Sequence, residues 1–503
     1  MDHLSPTGLL GWVAVDVVSR LSPLPGLAAS TRFWAILFGV LWVHRYTRLL
    51  VHCVSHWSYK SKPLADKPSF TADDVTVIIP TIHHDFEQLR ESLGSILRCR
   101  PAELVLVTTH DKVRALRALT DSLDSLATRI SVLDTAIANK RLQVCEALPR
   151  VTTAITIMAD DDVTWPPQLV RWILAPFEDE AMGGVGTCQR VRRERDGRWQ
   201  TAVWNWLGAA YIERRNFEVS ATHNMDGGTS CMSGRTGAYR TSILTEHAFV
   251  DGFKTEKWRH WTLNADDDNF VTRWLVNHGW KTWVQYSPEC EVETTLEHGA
   301  KFLFQCTRWA RSNWRSNWTS LVRERTVWRR QPWCTYALHI ATFTSLAFVV
   351  DPLLLWACWR AFENEPPRLR CAVFVAQLAF MFLFTKTVKL WGLLWKHPSD
   401  LVYLPVSVLF GWFHGFIKLY ALATLNMTSW GSRADGDAND QDRLTRTPHQ
   451  NSVLATPPGH SHLVQFNKPP ARPNTGSLPT PKTEKFLEKE RLFAKKPAFF
   501  SWP

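Results

Sequence analysis

Three consecutive aspartates, Asp160, Asp161 and Asp162, directly follow an apolar run over residues 154–158 that predicts a β-strand. Adjacent carboxylates repel one another, and a divalent cation is the simplest way to hold them together at a strand end. Because Asp160 and Asp162 are two positions apart, both can reach one ion from a tight turn. Such an ion would neutralise a diphosphate and stabilise it as a leaving group. The alternative interpretation is an acidic turn on the surface.

A second triplet, Asp266, Asp267 and Asp268, precedes a helical pattern over residues 270–277. Acidic side chains at a helix start are ordinary partners of the helix dipole, and taken alone this is the simpler interpretation. Together with the first triplet, the second one supplies a candidate general base. That base would take the proton of an acceptor hydroxyl while the hydroxyl oxygen attacks an anomeric carbon.

Gln305, Arg308 and Trp309 lie in the stretch FQCTRWARSNWRSN and have the spacing i, i+3, i+4, which places them on one helix face. Their chemistry suits a hydrogen bond to a sugar, a phosphate clamp and a stacking surface, respectively. The surrounding stretch is rich in Trp and Arg, which is typical of a helix lying in a membrane interface. The alternative is an amphipathic surface helix without a catalytic role.

Shorter motifs give weaker signals. Pro80 and Thr81 end an apolar strand, and a turn of this kind often opens a nucleotide site. Lys140 follows the third predicted strand, where its cation would either meet a phosphate or be solvated. The Gly- and Ser-rich stretch 227–240 suits close approach to a sugar, or it forms an ordinary turn.

Strand and helix patterns alternate from residue 71 to about residue 300. We predict strands over residues 75–79, 104–107, 130–133 and 154–158, and helices over residues 86–98 and 113–126. This alternation predicts a largely parallel α/β sheet that binds its ligands at the carboxyl ends of the strands.

Four apolar segments predict a membrane region. Residues 33–54 form the predicted N-terminal anchor, and residues 333–359, 371–395 and 401–425 are each long enough to cross a hydrocarbon layer of ~30 Å. Basic residues after the anchor place the following domain in the cytosol. Charges within the later segments either face a protein interior or polar channel, or extend toward the interface near helix ends. These charges belong to Asp351, Lys386, Lys389, His414 and Lys418.

The composition favours some partner classes over others. The chain carries 58 Lys and Arg against 47 Asp and Glu, a formal net charge of +11, which favours phosphates, nucleotides or acidic lipid surfaces. No nucleic-acid-binding signature is present, so we expect no nucleic-acid partner. The 26 Trp residues among 503 suit both membrane interfaces and sugar rings. The ten scattered Cys indicate reduced thiols rather than a disulfide framework or a zinc site.

The predicted organisation has five parts. An N-terminal segment with its anchor spans residues 1–70, and the catalytic domain spans residues 71–300. Interfacial helices follow over residues 301–332, and three transmembrane helices over residues 333–425. The polar, Pro-rich composition of residues 426–503 predicts a disordered tail.

In this order, the motifs resemble the membrane-bound family 2 glycosyltransferases, especially the hyaluronan synthase and chitin or cellulose synthase group and its compact fungal members. Asp160 to Asp162 is similar to the D-x-D metal motif, and Gln305, Arg308 and Trp309 form the Q-x-x-R-W motif that marks processive members. Three further segments resemble family motifs: Asn139-Lys140-Arg141, Ser233-Gly234 with Tyr239-Arg240, and Ala265-Asp266-Asp267 with Arg273.

The resemblance implies an α/β catalytic domain of the GT-A type, with a mixed, largely parallel sheet, joined to an α-helical transmembrane region. It implies a UDP-sugar donor, inversion at the anomeric carbon, and Mg²⁺ or Mn²⁺ held by Asp160 and Asp162. Asp267 is the implied general base, with Asp266 beside it as a second catalytic candidate.

Donor and acceptor contacts can also be assigned. The predicted donor contacts are Pro80, Thr81, Lys140, Asp160, Asp162 and Arg308, and the predicted acceptor contacts are Ser233, Gly234, Gln305 and Trp309. The family's uridine-binding aspartate has no direct match here. Asp111, slightly displaced, or Thr109 would take its role.

We therefore expect a processive synthase in the plasma membrane that extends a growing polysaccharide on its cytosolic side and exports it through its helices; an oligomer is compatible with the sequence. The alternatives are a non-processive transferase that loads a sugar onto a lipid phosphate, and an inactive membrane scaffold. Three spans after a cytosolic domain would leave the tail outside, where Asn426, in Asn-Met-Thr, becomes a candidate glycosylation site.

Overall fold

A computed structural model describes residues 30–82, 86–125, 127–194 and 196–428. Nearly all of the predicted tail over residues 426–503, and the part of the N-terminal segment before residue 30, lie outside these described residues.

The catalytic domain is built on a mixed β-sheet. In the described part of the chain, nine strands pair in the order β3-β2-β1-β4-β7-β6-β11-β5, with β10 also beside β6, and β8 and β9 form a separate hairpin. The strands are β1 (Val75–Pro80), β2 (Glu103–Thr109), β3 (Arg129–Thr135), β4 (Ile155–Ala159), β5 (Val163–Thr164), β6 (Met182–Val191), β7 (Thr236–Arg240), β8 (Lys257–Trp258), β9 (Trp261–Thr262), β10 (Lys281–Gln285) and β11 (Glu291–Thr294).

The four predicted strands are confirmed as β1 to β4, and they are parallel neighbours. β1 is buried along its whole length, which is expected for a strand covered by helices on both sheet faces. Its alternate residues belong to two cores: Val77 packs on one face of the sheet and Ile78 on the other. This two-layered packing fixes the carboxyl ends of β1 and β4 side by side.

Helices cover the sheet and continue into an apolar bundle. They are α1 (Thr31–Ser58), α2 (Phe86–Leu97), α3 (Val113–Asp121), α4 (Lys140–Ala147), α5 (Leu169–Leu174), α6 (Trp199–Asp226), α7 (Thr241–Leu244), α8 (His247–Thr255), α9 (Asp267–Asn277), α10 (Lys301–Trp318), α11 (Val327–Arg330), α12 (Pro332–Cys334), α13 (Ala341–Thr344), α14 (Ala347–Ala361), α15 (Pro367–Ala379), α16 (Thr385–Thr387), α17 (Trp391–Lys396) and α18 (Leu404–Ala423). The predicted helix over residues 113–126 is shorter than expected, because α3 ends at Asp121.

Two helical stretches in the described residues are long and apolar enough to cross a membrane: Pro367–Lys396 and Pro398–Ala423. A third crossing exists only if Pro332–Thr344 and Ala347–Ala361, which meet at a bend of 92°, form one broken span. The first predicted C-terminal span is therefore bent at residues 345–346. α1 forms over the predicted anchor but is not among these candidates, so its role as a membrane anchor stays a prediction.

Candidate active site

One cavity of about 180 Å³ opens where the carboxyl ends of β1 and β4 face α9 and α10. It gathers nearly all of the predicted site residues, although these are spread over more than 200 positions of the chain. The predicted residues that line it are Pro80, Thr81, Lys140, Asp160, Asp162, Ser233, Gly234, Asp266, Asp267, Gln305, Arg308 and Trp309.

In the first aspartate triplet, one side chain stabilises the fold and the other two face the cavity. Thr81 Oγ1 donates a hydrogen bond of 2.6 Å to Asp161 Oδ2, which ties the triplet to the end of β1. Asp160 Oδ1 accepts a hydrogen bond of 2.7 Å from Lys140 Nζ, and Asp162 Oδ2 accepts one of 3.2 Å from Thr295 Oγ1. Asp161 thus anchors the turn, and the carboxylates on either side of it line the cavity.

Asp266 is held by the helix that carries the Q-x-x-R-W motif. The Arg315 guanidinium donates to both of its carboxylate oxygens, at 2.7 and 3.1 Å, and Ser312 Oγ donates to Oδ1. Burial alone would raise the pKa of Asp266, but these contacts hold it below its usual value. This arrangement suits Asp266 for joining α9 to α10 more than for proton transfer, so its catalytic assignment stays a prediction.

Lys140 lies between the two aspartate triplets. Its Nζ is 2.7 Å from Asp160 Oδ1 and 2.9 Å from Asp267 Oδ2. Burial opposes the charge of each group, but the pairing dominates: it raises the pKa of Lys140 and lowers the pKa of Asp267. The carboxylates of the two triplets therefore converge on one position that a cation occupies.

The Q-x-x-R-W residues face the same cavity from α10. Trp309 stacks on Tyr211 with ring centroids 5.2 Å apart, and the Arg235 guanidinium lies 5.5 Å from the Trp309 ring centroid. Gln305 Oε1 accepts a hydrogen bond of 3.2 Å from the backbone N–H of Glu297. Burial lowers the pKa of Arg308, and the nearby Asp160 carboxylate opposes this effect. The motif thus supplies an aromatic platform and a cation beside the aspartates.

Several lining residues were not predicted from the sequence, and three of them carry an aromatic ring or a charge near Trp309 or the aspartates. Tyr211 and Arg215 come from α6, and Arg235 directly follows the Ser233-Gly234 pair. Tyr211 and Arg215 have the helical spacing i, i+4, which would have placed them on one face. Nothing in the sequence indicated that this face turns toward the cavity, because α6 lies between the sheet and the apolar bundle.

Asp111 does not line the cavity. β2 continues to Thr109, so Asp111 falls in the exposed turn beyond the sheet edge. The predicted contact between Asp111 and the donor is therefore not supported by this geometry. Arg141 also differs from its neighbour Lys140: its guanidinium is buried and donates to the backbone oxygens of Phe253 and Ala265.

The last described residues of the chain contact the wall of the cavity. Arg315 Nη1 donates to the backbone oxygens of Leu425 and Met427, at 3.2 and 3.0 Å, while the same guanidinium binds Asp266 in the cavity wall. The backbone on either side of Asn426 therefore packs against the helix that carries the Q-x-x-R-W motif. The glycosylation of Asn426 stays a prediction.

Comparison with known proteins agrees with this geometry. Residues 72–312 match a family model described as "Glycosyltransferase like family 2". A type 2 glycosyltransferase of Gibberella zeae is 68% identical over 463 residues, covering 92% of this chain and 87% of that protein. An NDP-glycosyltransferase of Aspergillus luteorubrus is 30% identical, covering 56% of this chain and 70% of that protein.

A more distant likeness connects the chain with hyaluronan synthase 2 of Xenopus laevis, which is 25% identical over 297 residues, covering 57% of this chain and 48% of that protein. The resemblance inferred from the motifs is thus confirmed, as is the GT-A-like fold with its mixed, largely parallel sheet. The protein is a transferase, and the chain belongs to the family 2 glycosyltransferases.

Proposed function

We propose that the protein is a processive, inverting hexosyltransferase that polymerises sugar from a UDP-sugar into a cell-wall or extracellular polysaccharide and exports it through its membrane helices. The catalytic domain would face the cytosol, at the plasma membrane. One observation carries the proposal: Asp160, Asp267 and Trp309, which belong to three distant motifs, line a single cavity.

The oxygen ligands that the cavity offers suit a divalent cation. Asp160 and Asp162 supply hard carboxylate oxygens, and Mg²⁺ or Mn²⁺ typically takes one or two carboxylates together with phosphate oxygens and water. In the described residues no group of three or more His, Cys, Asp or Glu could hold a metal alone, so diphosphate oxygens would complete the shell. The ion would supply charge neutralisation for the departing diphosphate.

The chain's own residues would carry the transfer itself. Asp267 takes the proton of the acceptor hydroxyl, the hydroxyl oxygen bonds to the anomeric carbon, and the bond from that carbon to the diphosphate oxygen breaks with its electron pair on the diphosphate. Arg308 lines the same cavity, and its charge would stabilise the leaving group. Lys140 would exchange part of its contact with Asp160 for diphosphate oxygens.

Trp309 supports the acceptor side of the proposal. Its ring is fixed by Tyr211 on one side, and Gln305 projects from the preceding turn of the same helix. An aromatic face beside a hydrogen-bonding amide is a typical sugar platform, because the C–H face of a sugar packs on the ring. A platform that holds the end of a chain after each transfer would favour repeated addition.

The test is a donor screen on purified protein in detergent or nanodiscs. Each UDP-sugar is supplied with Mn²⁺, and UDP release and product length are measured. We expect one donor, or one donor pair, to give UDP together with a long product. UDP release with only single-sugar products would refute processivity, and a lack of UDP release with every donor would refute the proposed activity.

Asp267→Asn tests the general base. We expect turnover to fall by about 10²–10⁴-fold, because the isosteric amide cannot accept the proton. The matched control is Asp251→Asn, which changes an exposed carboxylate on α8 and should retain wild-type turnover. Near-normal polymer output from Asp267→Asn would remove Asp267 from the mechanism.

A further inference from the structure

The three carboxylates of the second triplet have different partners. Asp266 is paired with Arg315 and Asp267 with Lys140. Among the described residues, Asp268 forms no ion pair with a basic side chain, although it lines the same cavity and is only half-buried. Of the three carboxylates in this triplet, that of Asp268 is thus the one without a direct cationic partner in the described structure.

Asp268 is nevertheless held in a fixed orientation. Its Oδ1 accepts a hydrogen bond of 2.8 Å from the backbone N–H of Asn269, and its Oδ2 accepts one of 3.3 Å from the backbone N–H of Gly234. Two backbone donors on two different segments leave the side chain little rotational freedom. Asn269 Nδ2 also donates to Oδ1, at 3.2 Å, and the Cys231 thiol, a weak donor, bonds to the same carboxylate. A ligand hydroxyl in the cavity would share or replace the weak thiol contact.

Gly234 makes this arrangement sterically feasible. A Cβ atom at this position would lie 3.3 Å from Asp268 Cβ and 3.3 Å from Lys140 Nζ, which is tighter than ordinary packing. The absence of a side chain lets the Ser233-Gly234 loop approach both the ion-paired Asp267 and the unpaired Asp268. The loop predicted to contact the acceptor is therefore bound directly to the Asp268 carboxylate.

We infer that Asp268 is a specificity-determining residue for the acceptor sugar. Asp267 activates one hydroxyl of that sugar, and Asp268 accepts a hydrogen bond from the neighbouring hydroxyl or amine. This inference rests on the proposed glycosyl transfer and names the acceptor chemistry. A carboxylate at this position repels the donor diphosphate and any acidic acceptor end, so a neutral or amino sugar with a free vicinal donor group fits it.

The experiment compares transfer to a sugar with transfer to water in Asp268→Asn. Hydrolysis of the donor uses water as the acceptor and does not need the second hydrogen bond. We expect the variant to retain UDP release by hydrolysis within a few-fold, while its KM for the acceptor rises by about 10- to 100-fold, because hydrogen bonds to charged groups are the stronger ones.

Acceptor analogues sharpen the test. With methyl glycosides as acceptors, wild-type protein should discriminate against one particular mono-deoxy analogue, and Asp268→Asn should lose that discrimination. Asp268→Glu restores a carboxylate and should recover part of it, and Asp251→Asn should behave as wild type. A purely structural role would lower hydrolysis and transfer together and would leave the deoxy discrimination unchanged.

Two outcomes overturn the inference while the proposed function survives. One is an unchanged acceptor KM in Asp268→Asn. The other is loss of both hydrolysis and transfer in Asp268→Asn with normal thermal unfolding, which would make Asp268 the base in place of Asp267. A wild-type protein that releases no UDP from any donor would instead refute the proposed function itself.

Discussion

Two clusters of charged side chains in this protein differ in how completely their charges are paired and buried. In the cavity, aspartates outnumber the cations that touch them, and the Asp160 side chain is 23% exposed. The second cluster, which we call the bundle cluster, consists of Arg45, Asp351, Lys386, Lys389 and Glu218. There Asp351 has no exposed side-chain surface and is paired with both Arg45 and Lys386.

The charges of the bundle cluster are paired with one another inside the protein. Trp412 Nε1 donates a hydrogen bond of 3.0 Å to Asp351, and Lys389 Nζ lies 2.5 Å from Glu218 Oε1. These contacts join α1, α6, α14 and α18 to the segment between α15 and α17. Similar charges therefore have different roles: paired and enclosed charges hold helices together, whereas the partly exposed carboxylates of the cavity are the proposed ligand contacts.

Asp351→Asn is the strongest test of whether the bundle cluster holds the helices together. The change leaves Arg45 and Lys386 without their shared carboxylate, and breaking a buried pair by removing one partner costs about 3–5 kcal/mol. We expect a large fall in the midpoint of thermal unfolding in detergent. Glu363→Gln removes an exposed pair with Arg360 and should change stability by less than about 1 kcal/mol. Equal effects from the two variants would show that the buried pairs of Asp351 contribute no more to stability than an exposed pair does.

Asp160→Asn tests the partly exposed carboxylates of the cavity. We expect turnover to fall by about 10²–10³-fold and the Mn²⁺ concentration for half-maximal activity to rise, because a ligand of the ion is lost. Thermal unfolding should change little, since Asp160 is partly open and Lys140 keeps its contact with Asp267. Asp179→Asn, which affects an exposed pair with Lys281, is the control and should retain wild-type metal dependence. Metal-independent activity in the wild type would remove the ion from the proposal.

Sequence patterns predicted the parts of the site that follow local rules. The first triplet was predictable because β1 and β4 are continuous apolar runs whose carboxyl ends must share one edge of a parallel sheet. The Gln305, Arg308 and Trp309 face followed from helical spacing alone. Both signals are short-range, and the packing of the sheet then brings them together.

Long-range pairing was not predictable in the same way. The bond from Arg315 to Asp266 joins α10 to α9, and the same guanidinium fixes the chain at Met427. Such a contact depends on how helices pack, which hydropathy does not encode. For this reason counting apolar segments did not predict the bend at residues 345–346.

The smallest expected effect concerns Glu213, which lies on α6 between the two clusters. Burial, with a contribution from the Glu291 charge and opposition from Lys396, raises the pKa of Glu213 from 4.5 to about 7. The folded protein therefore binds this proton more tightly than the unfolded chain does. The resulting stabilisation is fully present below the unfolded pKa and is lost as the pH rises through about 7.

Glu213→Gln should remove this dependence, because the amide stays neutral at every pH. We expect the variant to be more stable than wild type by about 1–3 kcal/mol at pH 8 and nearly equal to it at pH 5, measured by thermal unfolding in detergent. Glu180→Gln, an exposed change, should keep the wild-type pH profile. If Glu213→Gln instead destabilised the protein at pH 8, its carboxylate would be charged and paired in the fold, and α6 would carry an ionic contact besides Glu218–Lys389.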